Sequence, residues 1–144
     1  MSNNNKPNIL LDLDQTIISG EATEEIDFTK YKEKHKLFKS HDMDGYYIIY
    51  SRPYLQEFLD YIFSNFNISI WTAASKDYAL FIIEKVIINN KPDRKIDFIF
   101  FSYHCDLSKK IKKHSKELSM LWDIYKLDGF SEKNTVIILS LIHI

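Results

Sequence analysis

Asp12-Leu13-Asp14-Gln15-Thr16 is the segment of this 144-residue chain whose residue types and spacing could do the most chemistry. It sets two carboxylates two residues apart, with a hydroxyl two residues further on. One such carboxylate can attack a phosphorus atom while the other exchanges a proton with the leaving group. The apolar run Ile9-Leu10-Leu11 stands directly before it. A short strand buried on both faces reads this way. The loop at the C-terminal end of such a strand is where open α/β sheets bind their ligands. Asp and Thr at a strand end also serve ordinary turns by bonding nearby amides, but the placement directly after a buried strand favours chemistry.

Three further segments bear on that reading. Trp71-Thr72-Ala73-Ala74 closes a second apolar run containing Ile68 and Ile70. A threonine hydroxyl there, with the amides of the turn through Ala73, can hold a phosphate oxygen. Lys116, in Lys116-Glu117-Leu118-Ser119, can neutralise a phosphoryl group or the attacking carboxylate. Taken alone it reads as one more surface lysine. Arg52-Pro53 opens a helix, and that local role is sufficient to explain the pair.

The elements that must position these groups follow from periodicity. Strands are expected at Asn8 to Leu13, Tyr46 to Tyr50, Asn67 to Thr72, Ile96 to Phe101 and Thr135 to Leu139. Leu55, Phe58, Leu59, Ile62 and Phe66 recur at helical spacing and predict a helix over Arg52 to Phe66. Ser75 caps a second helix running to about Asn89, and a third is expected from about Ser115 to Leu127, ending near Gly129. Residues 19 to 45 are polar and charged and read as an irregular excursion holding one short helix. The alternation of strand and helix implies an α/β fold with a parallel sheet and flanking helices.

Composition narrows the class. The net charge is −1, so no global field draws the chain to nucleic acid or a membrane surface. No apolar run reaches membrane-spanning length, and the N-terminus is polar rather than signal-like. The lone Cys105 excludes an internal disulfide and suits a reducing, intracellular setting. Met1 to Pro7 reads as a loose tail before one domain over residues 8–144. His104-Cys105 reads as core packing at a strand end, because no partner at metal-ligand spacing accompanies it. His35, His41 and His114 lie in polar segments and are expected to be solvated. Lys109, Lys110, Lys112 and Lys113 read as a solvated charged face, and Trp71 and Trp122 as core.

Taken together, these residues resemble the haloacid dehalogenase superfamily of phosphatases. More narrowly, they are similar to the small phosphatases that act on the C-terminal domain of RNA polymerase II and to the nuclear LIM-interactor-interacting-factor-like group. The resemblance runs from about Asn8 to Ile138. It implies a Rossmann-like parallel sheet with a minimal cap. It also implies that Asp12 is a nucleophile forming an aspartyl-phosphate and ligating Mg²⁺. Asp14 would be general acid and then general base, with its backbone carbonyl on the metal. Thr16 would stabilise the loop beside the substrate, Thr72 with Ala73 would bind phosphoryl oxygens, and Lys116 would balance charge. The implied substrate is a phosphoserine or phosphothreonine protein, since the excursion is too short for a large lid.

The chain departs from the family at one place. Where an acid, usually paired with Asp or Asn, should follow the fourth core strand, Leu139 and Ser140 stand. The tail Leu139 to Ile144 is unlike the family's continuation, so a last strand and helix are expected to be missing. Weaker Mg²⁺ binding follows, as does self-association through an exposed edge strand. The competing reading is a truncated, inactive relative that binds phosphoproteins or partners.

Overall fold

A computed structural model describes residues 6–140. Two expectations, the loose tail Met1 to Pro7 and the unusual tail Leu139 to Ile144, lie largely outside them.

The core is a four-stranded parallel sheet in the order β6-β5-β1-β7. It is built from β1 (Asn8–Leu11), β5 (Asn67–Trp71), β6 (Ile96–Phe100) and β7 (Thr135–Ile138). β1 pairs β5 in register Leu11↔Ile70 and β7 in register Leu11↔Ile138. The chain runs outward from β1 through β5 to β6, then crosses back to the other side of β1. The strand order therefore reverses between β1 and β7, and that crevice is the ligand position of such a sheet. All four residues of β1 are buried, as expected for a strand covered on both faces.

At the N-terminal ends of the strands, the buried Asn8 amide donates to the Gly129 carbonyl and accepts from Asn67. This satisfies polar groups that would otherwise be costly inside the sheet.

The segment between β1 and the first core helix corrects the expectation of an irregular excursion. It is a three-stranded antiparallel sheet in the order β2-β4-β3, with strands β2 (Ile18–Ala22), β3 (Ser40–Met43) and β4 (Tyr47–Ser51). Helix α1 (Phe28–Leu37) bridges β2 and β3. Asp44 and Gly45, both at positive φ, form the β3–β4 hairpin. Strands β2 and β3 are half solvated and lack the apolar runs that mark the core, whereas β4, where a strand was expected at Tyr46 to Tyr50, is buried from Ile48 to Ser51. His41 in β3 is partly buried, not solvated: its Nδ1 has no hydrogen-bond partner, and burial chiefly holds its imidazole below the ordinary value.

The first core helix, α2 (Leu55–Asn65), buries Leu55, Leu59 and Ile62. It starts three residues later than periodicity suggests, because Tyr54 takes a left-handed conformation as its N-cap and leaves Pro53 outside. Phe58 is exposed rather than inward. Helix α3 (Lys76–Ile82) begins at the Ser75 cap, whose hydroxyl accepts from the Tyr78 amide, and widens into a π-helical turn over Ile83–Ile88. Arg94, 3 % exposed, reaches the Ile87 carbonyl at 2.7 Å and Asp60 at 2.6 Å, clamping that turn to α2.

The last third differs most from expectation. Ser102–Lys112 is a helix, α4, and it holds His104 and Cys105 in its first turn. The helix expected over Ser115 to Leu127 shrinks to α5 (Met120–Asp123). The segment before it is a turn that carries Lys116 inward. Trp71 is fully buried and Trp122 packs against the same cluster, as expected.

Candidate active site

Asp12 immediately follows β1 and is 1 % exposed. Its amide donates to the Ile138 carbonyl of β7 at 3.1 Å, so the residue is bound into the sheet at its C-terminal end. Its Oδ1 accepts from the Leu13 amide at 2.9 Å and from Lys116 Nζ at 2.9 Å. Its Oδ2 accepts from the Thr16 hydroxyl at 3.3 Å. The Leu13 carbonyl collects the amides of Thr16, Ile17 and Ile18, folding the loop back on itself, and Gln15 supplies the left-handed residue that the turn requires.

Lys116 lies 104 residues from Asp12 in the chain and its side chain is 5 % exposed. The turn that carries it is held from α4. The Glu117 amide donates to Ser108 Oγ at 3.0 Å, and the Ser108 hydroxyl donates to the His114 carbonyl. Ser108 is fully buried. Nothing in its local sequence marked it, since an isolated serine carries no periodic signal.

Thr72 ends the neighbouring strand, and its Oγ1 accepts from the Ala74 amide at 3.1 Å. Ala73 between them is exposed. The Cys105 thiol donates to the Thr72 carbonyl at 3.5 Å, and burial chiefly raises its ionisation above the ordinary value. It is a packed structural group beneath the turn. Asp14 Oδ1 accepts from the Tyr78 hydroxyl of α3 at 2.7 Å. Burial first, then the bond to Asp14, pushes the Tyr78 phenol far above its ordinary value, so it remains a donor.

The structure thus brings Asp12, Thr16 and Lys116 into direct contact and sets Asp14 and Thr72 at the same end of the sheet. Thr16 is buried with its hydroxyl on Asp12. Arg52, beyond its place before the helix, lines a cleft of about 250 Å³ beside the loop together with Thr16, Ile17, Lys34 and Tyr50.

Magnesium takes hard oxygen ligands and is commonly held by one or two carboxylates completed by phosphate and water. Asp12 and Asp14 offer such oxygens. Ser140, two residues past β7, has a buried hydroxyl without a hydrogen-bond partner. That oxygen set fits Mg²⁺ as a site lean in negative charge. Among the described residues, no three His, Cys, Asp or Glu gather as a metal cluster.

A parallel sheet with helices on its faces and a buried carboxylate, held by a lysine, at its switch point makes this a Rossmann-like α/β protein. The fission yeast RNA polymerase II CTD phosphatase Fcp1, solved with beryllium fluoride, shares this fold at a TM-score of 0.59 and 19 % identity. The match covers 93 % of this chain and 37 % of that one, so this chain spans about a third of that structure. The model for NLI interacting factor-like phosphatases matches residues 7–139, and the chain belongs to that family. It is 52 % identical over 135 residues to a putative CTD phosphatase-like protein of Invertebrate iridescent virus 6, covering 91 % of this chain and 74 % of that protein. A counterpart in Invertebrate iridescent virus 3 is 44 % identical over 142 residues, covering 94 % and 76 %. No helix among the described residues is long and apolar enough to cross a membrane.

Proposed function

We propose that this chain is a phosphoprotein phosphatase that hydrolyses phosphoserine or phosphothreonine through an aspartyl-phosphate on Asp12. Family membership supports a phosphatase function. The observation that carries the residue assignment is the Asp12 carboxylate, buried and oriented by Lys116, Thr16 and its own loop at the ligand end of β1.

A carboxylate oxygen of Asp12 attacks phosphorus as the ester P–O bond breaks. Asp14 gives its proton to the departing serine or threonine oxygen. Water then attacks the acyl phosphate, Asp14 takes the water's proton, and Asp12 is regenerated with release of phosphate. Phosphoryl transfer of this kind is mainly positioning and charge neutralisation. Lys116 compensates the charge of Asp12, and the Thr72 turn with the Ala73 amide is the binding edge for phosphoryl oxygens.

Asp12 and the Asp14 carbonyl, with the Ser140 hydroxyl, would hold Mg²⁺, which when bound would supply further neutralisation of phosphoryl charge. The half-solvated sheet of residues 18–51 leaves the cleft open to a protein substrate rather than sealing a metabolite from water.

The test is hydrolysis of p-nitrophenyl phosphate by the chain, with Mg²⁺ or EDTA, beside Asp12→Asn. Turnover that requires Asp12 and Mg²⁺ is expected. A folded chain without turnover, or an Asp12→Asn variant as active as wild type, refutes the reading.

A further inference from the structure

Tyr78 is joined to the proposed acid Asp14 across 64 residues of sequence. Three independent features hold its hydroxyl there. The Ser75 cap fixes the first turn of α3, on which Tyr78 sits. The Tyr47 ring stands edge-on against the Tyr78 ring, with centroids 5.4 Å apart at 80°. Gly20 in β2 leaves the space that the phenol oxygen fills, because a Cβ at that position would lie 2.0 Å from it. Gly20 has no positive φ to explain its presence. Its missing side chain makes room for the hydroxyl.

We infer that Tyr78 is a positioning residue for the proton-transfer group, with Gly20 as the vacancy that admits its hydroxyl. This inference rests on the phosphatase reading. With Oδ1 accepting the phenol, the carboxyl group cannot turn freely, and a protonated Asp14 carries its hydrogen on the other oxygen. That proton passes to the leaving oxygen as the Asp12–phosphorus bond forms and the ester bond breaks. Tyr78 exchanges no proton in the step. It fixes which oxygen does. The three-stranded sheet therefore takes part in catalysis through the fit of β2 against α3, without contributing a group to the phosphoryl centre.

Leaving-group dependence separates this role from a purely structural one. p-Nitrophenolate departs without help, whereas a serine alkoxide needs its proton in the transition state. The experiment measures kcat/KM of wild type, Tyr78→Phe and Gly20→Ala on p-nitrophenyl phosphate and on a phosphoserine peptide, with thermal unfolding of each protein. In Tyr78→Phe, kcat/KM on the peptide should fall roughly 10-fold or more, the scale of losing one hydrogen bond to a charged group. On p-nitrophenyl phosphate it should fall less than about 3-fold by the same reasoning. Gly20→Ala, which keeps both Tyr78 and Asp14, should reproduce the selective loss. Equal losses on both substrates, or none on either, overturn the inference while leaving the phosphatase reading intact. A wild-type chain that turns over neither substrate removes both.

Discussion

Lys116 and Asp12 meet with both side chains almost withdrawn from water. Two charges in that state are costly singly and tolerable only as a pair. Lys116→Met should therefore destabilise the fold by about 3–5 kcal/mol, because it strands a buried carboxylate. Asp12→Leu combined with Lys116→Met should recover most of that loss. Urea unfolding of the two single variants and the double variant checks this, and additive losses would show that the pair is not coupled in the fold. Asp12, Asp14 and Thr72 were legible because each lies within three residues of the end of a buried strand, a pattern complete in a short stretch of sequence. Lys116 was legible only through family resemblance. Tyr78 and Ser108 were not legible at all, since each derives its meaning from a partner that only the tertiary fold brings close.

Helix α4 shows what periodicity misses. Its buried face is made of Cys105 and Ser108, with Ile111 exposed, so no apolar stripe marks it. It starts where the Phe101 amide donates to His104 Nδ1 at 3.0 Å, while the imidazole stacks on Phe100 with centroids 4.2 Å apart. Burial holds the His104 imidazole below its ordinary value. The sign follows: the native ring resists a proton that the unfolded chain accepts below about pH 6.5. Stability is therefore full above that pH and is lost as pH falls from it toward the folded-state value. His41 acts in the same direction.

Between about pH 7.5 and pH 5.5 His104 should therefore contribute a loss of stability. His104→Asn keeps an acceptor without a titrating ring, and denaturant melts at the two pH values should show a smaller loss for it than for wild type. Of the antiparallel sheet only β4 was legible, at Tyr46 to Tyr50; β2 and β3 are short and half exposed, although Asp44-Gly45 is a readable hairpin signal. Helix α5 was overestimated because the apolar residues after Ser115 pack inward from a turn as well as they would from a helix.

At the scale of the molecule, β7 is one edge of the parallel sheet among the described residues, with Val136 55 % exposed. Natural sheets blunt such edges with charge or proline, and Thr135 to Ile138 carries neither. Self-association that rises with concentration is expected, and Val136→Lys should reduce it. Sedimentation velocity over a range of concentrations checks this, and a single monomeric species throughout would refute it. The parallel core around β1 was readable because its strands are continuous apolar runs. Its order was not, because neighbours in a parallel sheet are chosen by crossovers that leave no local trace.

That order has a consequence on the ribosome. Asn8 pairs with Thr135, 127 residues later. At roughly 5–20 residues per second, β1 waits on the order of 6 to 25 s for the strand that completes its pairing. Until then the central strand of the nascent chain has one bare side. The amide of Asp12 must find the carbonyl of Ile138 before its carboxylate is held as described. Translation speed through the last third, and the availability of a holdase during it, thus govern how much of this protein reaches a competent site.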